Sequence, residues 1–258
     1  MLSRAMARIR SLSVRDRRLP ALACGLLGAV LLLAAGCAPR PLIERAIRAR
    51  GGPLTGLVVR TENRVYAGVP GTWECSRAFL APNRYAWKIV TAADPHFHLF
   101  DGTTARSFIG TAEVSSDASP NAPLRTHARW TAVVNLDALH ASNVVVMPLA
   151  PTDLPTGVRE GLLATFADGT GYRLGFDNRT LLVWARGPLD LSPVGTGEAT
   201  ARFQDYRRSG RLLLPFTVSY SLGTTPVADE HVLAACIDPA GLTAASFTDP
   251  TQLPDCPP

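Results

Sequence analysis

Residues 212–222 constrain the fold of this chain more than any other segment does. Apolar side chains occupy alternate positions there, and they are Leu214, Phe216, Val218, Tyr220 and Leu222. Because successive side chains of a β-strand point to opposite faces, this pattern predicts a strand with one buried and one solvated face. Such strands are typical of antiparallel sheets, since the strands of parallel sheets are covered on both faces. Pro215 favours an edge or a bulge, because proline has no N–H for the ladder.

Similar strand-like segments occupy most of the chain beyond residue 54, separated by turns such as Asp168-Gly169. Pro41 is well placed to open a short helix, and Gly51-Gly52 to end it. A helical spacing of apolar residues returns at Arg125–Ala141, midway through the strand series. We therefore predict one mainly β domain, residues 41–258, with an antiparallel sheet of about eleven strands, a short N-terminal helix and a helix inserted midway.

The amino terminus has the pattern of an export signal. Six arginines precede an apolar run from about Leu19 to Gly36, and small residues then lead into Cys37. With cysteine directly after the small residues, residues 1–36 resemble a bacterial lipoprotein signal peptide. The resemblance implies cleavage after Gly36, a diacylglyceryl thioether on Cys37, and fatty acylation, such as palmitoylation, of the new amino terminus. The alternative is an uncleaved helix, since about 18 mostly apolar residues can just span a bilayer.

The same resemblance predicts where the protein is located. Residues 37–40 would be a lipidated tether, and its few residues reach only about 10 Å when extended, so the domain would sit close to the headgroups. Two or more acyl chains give stable anchoring, whereas one gives only marginal binding. Ala38, and not aspartate, follows the cysteine, which in the proteobacterial sorting rule implies transfer to the outer membrane. We therefore expect a lipid-anchored protein on the periplasmic face of the outer membrane.

The basic charge of the chain is largely a property of its first 36 residues. Removing them removes six arginines and one aspartate, which brings the formal net charge from +5 to 0. A neutral mature chain lacks the basic patch that nucleic-acid binding requires, so no nucleic-acid partner is expected. Nothing in the sequence fixes the oligomeric state.

Three cysteines remain beyond the anchor in an oxidising compartment, where disulfides persist. They are Cys75, Cys236 and Cys256, and three thiols allow one bridge and one odd cysteine. A Cys236–Cys256 bridge closes the shorter loop and would pin the proline-rich tail onto the last strand, so we favour it. A Cys75–Cys236 bridge competes if those two strands are neighbours, and Cys75–Cys256 or no bridge at all stays open.

Several short motifs of the mature chain match a known family. They are the helix that ends at Gly51-Gly52, then Pro82-Asn83-Arg84-Tyr85, Phe100-Asp101-Gly102, Gly171-Tyr172, Phe176-Asp177, Phe203-Gln204-Asp205-Tyr206-Arg207 and Leu214-Pro215-Phe216. With these motifs the chain resembles the Lol-type lipoprotein carrier and receptor superfamily. The resemblance implies a half-open β-barrel whose helices form a lid, and lipid or lipoprotein acyl chains as possible partners.

Large apolar side chains at alternating positions are the candidate ligand contacts. An open sheet of this size leaves an apolar cleft, and apolar pockets with few polar groups suit acyl chains. The candidate cleft residues are Trp73, Tyr85, Trp87, Trp184, Phe216, Val218 and Tyr220. The simpler alternative for each of them is a place in the core beneath the inserted helix.

The sequence carries none of the common catalytic motifs. It has no Gly-x-Ser-x-Gly, HExxH, P-loop or paired CxxC pattern. His96 and His98 share one strand face near Asp101, but no third metal ligand can be named, so neither a metal nor a cofactor is expected. We predict a non-catalytic protein that binds or carries a lipid or other apolar ligand. The alternatives are a lipid-anchored interaction module in envelope assembly or sensing, its cleft filled by its own helix, and an unrecognised hydrolase.

Overall fold

A computed structural model describes residues 40–90, 94–114, 121–191 and 195–257 of the chain. The two helices are α1 (Arg40–Arg50) and α2 (Asn121–Val134). The thirteen strands are β1 (Gly56–Val65), β2 (Gly71–Leu80), β3 (Arg84–Val90), β4 (His96–Phe100), β5 (Ala105–Ile109), β6 (Ala112–Glu113), β7 (Val144–Pro148), β8 (Glu160–Phe166), β9 (Gly171–Phe176), β10 (Leu182–Asp190), β11 (Thr196–Ser209), β12 (Leu212–Leu222) and β13 (Thr225–Ile237). Short 3₁₀ turns lie at Asp137–His140, Pro151–Asp153, Ala244–Phe247 and Pro250–Gln252.

All thirteen strands belong to one antiparallel sheet. Their order is β6-β5-β4-β3-β2-β1-β13-β12-β11-β10-β9-β8-β7, so every pair except β1–β13 joins strands that follow each other in the chain. The described edge strands β6 and β7 do not pair with each other, and the sheet is therefore open. The mainly β, open fold is as the sequence predicts. The strand count is thirteen, not about eleven, partly because β6 has two residues and shows no recognisable alternation.

The inserted helix lies between the two free edges of the sheet in chain order. The chain leaves the sheet at β6, forms α2, and returns at β7 on the opposite edge. On the way α2 packs against β3, β4 and β5 in one half of the sheet and against β10 in the other. We call α2 the lid helix and the side of the sheet that it covers the helix face. The predicted midway lid is thus present.

Helix α1 is the second element on the helix face. Its apolar residues Leu42, Ile43 and Ala46 are buried, which matches the amphipathic pattern of the sequence. The helix ends where Gly52 N donates to Ile47 O at 2.8 Å. Gly51 has φ +108°, and a Cβ there would lie 2.2 Å from Arg211 O. Glycine is therefore required at this C-terminus both for its conformation and for the close approach of the neighbouring backbone.

The opposite face of the sheet is covered by the C-terminal tail. Phe247, Leu242 and Leu253 pack there against Val58 and Phe97 and their neighbours. We call this side the tail face. A disulfide joins Cys236 on β13 to Cys256 in the tail. This is the bridge that the sequence favours, and it pins the tail to the sheet as expected. Cys75 is free and buried.

The chain from Cys37 to Pro258 forms one compact unit. The described part of that unit contains the whole sheet, both helices and the hydrophobic cores of both faces, so it holds what is needed to fold by itself. Among these described residues, neither helix has the length and apolarity to cross a membrane. The predicted signal peptide and Cys37 lie outside the described residues.

Candidate functional site

A cavity of about 120 Å³ lies between the lid helix and the sheet. We call it the lid cavity. Its ceiling is formed by Trp130, Thr131 and Val134 of α2 and by Asn135, which follows the helix. Its floor comes from the central strands β1, β2, β3, β11, β12 and β13, because these strands lie in the middle of the sheet beneath the crossing helix. The site is therefore built by the two elements that the topology brings face to face.

Most of the floor is apolar. The strands place large apolar or aromatic side chains on it at alternate positions, among them Val59, Phe79, Tyr85, Phe203, Val218 and Tyr220. The lid helix adds Trp130 on one side, where it also packs at its edge against Tyr172 with ring centroids 6.1 Å apart. Cavities of this kind bind apolar groups, and their few polar side chains decide orientation and specificity.

One buried ion pair interrupts the apolar floor. Arg77 on β2 donates to Glu230 on β13, across the intervening strand β1. Burial alone would lower the pKa of Arg77, but Glu230, together with Tyr220 and Tyr85, more than offsets this and raises the pKa, so the guanidinium is charged. Tyr85 and Tyr220 flank the pair, and burial raises the pKa of Tyr85 to about 12. The two opposite charges cancel, so the pair contributes a local dipole but no net charge to the cavity.

The lid helix is fastened to both halves of the sheet. On the β10 side, His127 Nε2 lies 2.8 Å from the carbonyl oxygen of Asp190, and Arg129 forms an ion pair of 2.6 Å with Asp168. On the β3 side, the His127 ring stacks on Tyr85 with centroids 5.8 Å apart. Burial lowers the pKa of His127 to about 4, so it is neutral at pH 7. A neutral ring can stack beneath the lid without a buried charge.

The C-terminal end of the lid helix is held by α1. Arg50, which is buried, donates to Asn135 O at 2.7 Å and to Asp137 Oδ2 at 3.1 Å. The same carboxylate oxygen accepts from Leu54 N at 3.1 Å. We call this arrangement the Arg50 latch. It fixes the chain just after α2, where Leu136 adopts a left-handed conformation with φ +67°, and so sets the position of the cavity ceiling.

A second cavity of about 70 Å³ lies next to the first, beneath α1. It shares five lining residues with the lid cavity, namely Val134, Asn135, Phe203, Leu214 and Pro215. The two cavities are therefore adjacent and have part of their lining in common. The polar lining residues of the second cavity are Arg50, Asn135 and Tyr206, whose hydroxyl donates to Leu182 O.

Three of the seven candidate cleft residues line the lid cavity. They are Tyr85, Val218 and Tyr220. Trp87 lies on the same face but beside the cavity, packed against Tyr85, Phe100, Leu124 and Ala128 under the first half of the lid helix. Its ring contacts His127, with centroids 6.2 Å apart. Its place in the described structure is in the core beneath the lid.

The other three candidates lie away from the cavity. Trp184 pairs with Arg202, whereas its neighbour Ala185 pairs with Ala201 in the helix-face core, so alternation places Trp184 on the opposite face. The other two are Trp73, whose indole lies beside Gly71 near the β1–β2 connection, and Phe216, which packs against Leu212 and Leu214 with Arg207 above its ring.

Sequence reasoning missed the polar residues of the site. Arg77 and Glu230 are separated by 153 positions, and no local pattern links them. Phe203 begins the motif at residues 203–207, and Trp130 lies in the segment with helical spacing, Arg125–Ala141. Both cavity residues therefore had a local signal in the sequence, although strand alternation did not select them.

The described residues bring together no group of three or more His, Cys, Asp or Glu side chains that could hold a metal ion. His98, one of the two histidines on β4, instead contacts Ser107 Oγ at 2.9 Å. The titratable groups at the lid cavity are a charge-paired Arg77 and Glu230 and two tyrosines whose pKa values burial raises. An apolar cavity whose one ion pair is neutralised within the pair is suited to binding.

No protein-family model matches the sequence. No curated protein is recognisably related to it by sequence either. Several solved structures share its fold, including the following two. One is the LolA superfamily protein NE2245 from Nitrosomonas europaea, with a TM-score of 0.52 and 10% identity over 82% of this chain and 98% of that one. The other is a DUF1329 family protein from Desulfovibrio piger, with a TM-score of 0.53 and 8% identity over 83% of this chain and 97% of that one.

These likenesses define the class of fold. The chain has the Lol-type fold, an open antiparallel sheet covered by helices, as the sequence motifs predict. Both structural neighbours are matched over nearly their whole length, so the likeness includes the sheet and its helices. At 8–10% identity the likeness holds for the fold and does not extend to the identities of the side chains that line the cavity.

Proposed function

We propose that this protein is a non-catalytic envelope lipoprotein that holds a lipid or other apolar ligand, such as an acyl chain, in the lid cavity. The observation that carries the proposal is the apolar cavity between the lid helix and the central strands. The Lol-type fold supports it, because one of its structural neighbours is a LolA superfamily protein. An apolar pocket whose one ion pair is neutralised within the pair supports binding of an apolar ligand.

The size of the cavity implies that a long ligand needs the lid to move. A volume of about 120 Å³ is below the roughly 300–1,000 Å³ of ligand pockets. The conformation described holds part of a ligand or none. Displacing α2 would join the lid cavity to the space beneath α1, and the sheet would stay intact because α2 contributes no strand pair.

Membrane attachment is the second part of the proposal. The junction Ala34-Ala35-Gly36-Cys37 supports acylation of Cys37 and, with Ala38 after it, a place on the periplasmic face of the outer membrane. Cys37→Ser should abolish labelling with an alkyne fatty acid and leave the precursor uncleaved. Unchanged labelling of this variant would refute the anchor but not the cavity.

Binding is tested by uptake of the uncharged fluorescent probe N-phenyl-1-naphthylamine by the chain 38–258, with native mass spectrometry for co-purified lipid. Val232 on β13 lines the cavity, and the next residue, Leu233, is exposed. Val232→Asn should weaken uptake by about 5- to 100-fold, since an unpaired buried amide costs about 1–3 kcal/mol against an apolar ligand. Leu233→Asn is the matched control and should change nothing. Equal effects of the two substitutions, or no uptake by the wild type, would contradict the proposal.

A second candidate function follows from the way the lid fills the helix face. Trp130, Val133 and Leu136 are already part of the core there, so the sheet is largely covered by its own helix. In this alternative the protein is a lipid-anchored interaction module in envelope assembly or sensing. A wild-type chain that takes up no apolar probe and carries no co-purified lipid would favour it.

A further inference from the structure

The lid cavity contains more hydrogen-bond donors than the described residues satisfy. Arg77 Nε, Trp130 Nε1 and Asn135 Nδ2 are buried, and none of them donates to an acceptor within the described part of the chain. All three residues line the lid cavity. Three of the five unpartnered buried side-chain nitrogens of the described residues are thus gathered around one space.

Such a concentration of unpartnered donors needs a physical reason. A buried donor without an acceptor costs free energy, and most buried side-chain polar atoms in proteins have a partner. Trp130 is 4% exposed and Asn135 is 8% exposed, so bulk water does not compensate them. The Arg77 side chain is 24% exposed and lines the cavity, but its Nε atom is buried. The hydroxyls of Tyr85 and Tyr220 contact the Arg77 guanidinium. Arg77 Nε, like Trp130 Nε1 and Asn135 Nδ2, nevertheless has no acceptor among the described residues. An occupant of the cavity would supply one.

The charges at the site define what kind of acceptor fits. Arg77 is already paired with Glu230, so the site has no net charge to offer. A carboxylate placed there would be a buried charge without a counter-ion and would lie near the Glu230 carboxylate, which is unfavourable. An ammonium group would bring only donors to a site that already has too many. A neutral carbonyl oxygen accepts hydrogen bonds and adds no charge.

We propose that the lid cavity is a binding site for the neutral carbonyl group of an acyl ester or amide, which accepts hydrogen bonds from Arg77 Nε, Trp130 Nε1 and Asn135 Nδ2. The inference rests on the proposed binding of an apolar ligand and names the chemical class of that ligand. The apolar floor holds the first carbons of the chain, and the donors hold its carbonyl. A free fatty acid, ionised at neutral pH, is discriminated against.

The test uses probes with chains of similar length and different head groups. Methyl decanoate, N-methyldecanamide, undecane, decanoate and decylamine would each displace N-phenyl-1-naphthylamine from the chain 38–258 at pH 8. Methyl decanoate or the amide should bind about tenfold or more tightly than undecane, as one or two hydrogen bonds to otherwise unpaired donors imply. Decanoate and decylamine should bind more weakly than the ester. A tighter ester indicates a glyceride as the source, and a tighter amide indicates an N-acyl group.

Two conservative variants examine the donors themselves. Asn135→Leu and Trp130→Phe should each reduce the preference for ester over undecane by about fivefold, as the loss of one hydrogen bond implies. Trp87→Phe is the matched control, because Trp87 Nε1 is also buried and unpartnered but Trp87 does not line the cavity. It should leave the preference unchanged. Melting temperatures establish that each variant is folded, and Asn135→Leu should be at least as stable as the wild type, since it removes an unpaired amide.

A direct measurement does not depend on any variant. The indole N–H resonance of Trp130 should move downfield when methyl decanoate is added, while that of Trp87 stays in place. The proposal is overturned if ester and undecane bind equally, if decanoate binds as tightly as the ester, or if the Trp130 resonance does not move. Equal binding of ester and undecane would show that only water meets the donors, and the proposed function would still stand. Absence of binding by every probe would refute both.

Discussion

The Arg50 latch leads to the most quantitative prediction, which concerns stability. Arg50 donates to the Asn135 carbonyl at 2.7 Å and to Asp137 Oδ2 at 3.1 Å, and its side chain is 9% exposed. Arg50→Met keeps the apolar stem but removes the Arg50 donor from both acceptors, which leaves the carboxylate with the Leu54 N–H and without its counter-ion. Removing one partner of a buried ion pair costs about 3–5 kcal/mol. Because Asp137 is 25% exposed and water can partly solvate it, we expect the lower value, about 3 kcal/mol.

This loss is large enough to measure by thermal and urea unfolding. For a domain of this size 1 kcal/mol corresponds to about 2–4 °C, so the melting temperature should fall by about 6–12 °C. The urea midpoint should fall without a change in slope, because the surface exposed on unfolding is nearly unchanged. Arg50→Met should also accelerate exchange of a bound probe, since the latch fixes the end of the lid helix.

The control is an exposed ion pair on the same helix. Arg45 lies 2.6 Å from Glu160, with side chains 48% and 45% exposed. Such surface pairs contribute about 0–1 kcal/mol, so Arg45→Met should lower the melting temperature by no more than about 4 °C. If Arg50→Met is no more destabilising than Arg45→Met, the latch does not stabilise the fold. A double-mutant cycle of Arg50→Met with Asp137→Asn would then show a coupling energy near zero, and otherwise it isolates the energy of the pair.

Two further predictions concern the tail and the lid helix. Cys256→Ser should lower the free energy of unfolding by about 3 kcal/mol, the chain-entropy value for a loop of about 20 residues. Peptide mapping of the unreduced wild type should find Cys236 joined to Cys256 and Cys75 as a free thiol. A crosslinked peptide that contains Cys75 would contradict this. Burial lowers the pKa of His127 to about 4. Between about pH 6.5 and 4 the unfolded chain therefore binds a proton that the folded chain does not. As the pH falls through this range, the free energy of unfolding should decrease by up to about 3 kcal/mol. His127→Leu should flatten this part of the profile of unfolding free energy against pH, and an unchanged slope would show that another group is responsible.

Features that depend on neighbouring residues were predictable from the sequence. The alternation in β12 is a local consequence of strand geometry, and it indicated an antiparallel sheet correctly. The end of α1 follows from Gly51-Gly52, which supplies the conformation that the chain needs there. The Cys236–Cys256 bridge was favoured because its loop is short, and the structure contains it.

The end of the lid helix depends on a distant residue and was not predictable. The apolar spacing indicates a helix over Arg125–Ala141, whereas α2 ends at Val134 and a 3₁₀ turn begins at Asp137. The helix stops where Arg50, 85 positions away, takes the Asn135 carbonyl as an acceptor. The left-handed Leu136 that follows has no local sequence signal, since leucine rarely adopts that conformation.

The assignment of side chains to a face of the sheet shows a second limit. Alternation defines two sets of residues within one strand but does not say which set meets the ligand. That choice is made by register, and a shift of one residue moves every side chain to the other face. In β10 the register with β9 shifts between Leu182 and Trp184. The large indole therefore packs away from the cavity, although residue type alone made it a strong candidate.

The strand order explains why the lid helix is inserted where it is. An up-and-down sheet that joins its first and last strands through β1–β13 has two free edges, β6 and β7, and they are consecutive in the chain. A segment that connects these edges must cross a face of the sheet, and it can do so without interrupting any strand pair. A segment inserted between two paired strands would instead start and finish at the same end of that strand pair, so it would not need to cross the sheet. The connection between β6 and β7 is thus the one that can cover the central strands, and it places Trp130 and Asn135 opposite Arg77 even though the residues are far apart in sequence.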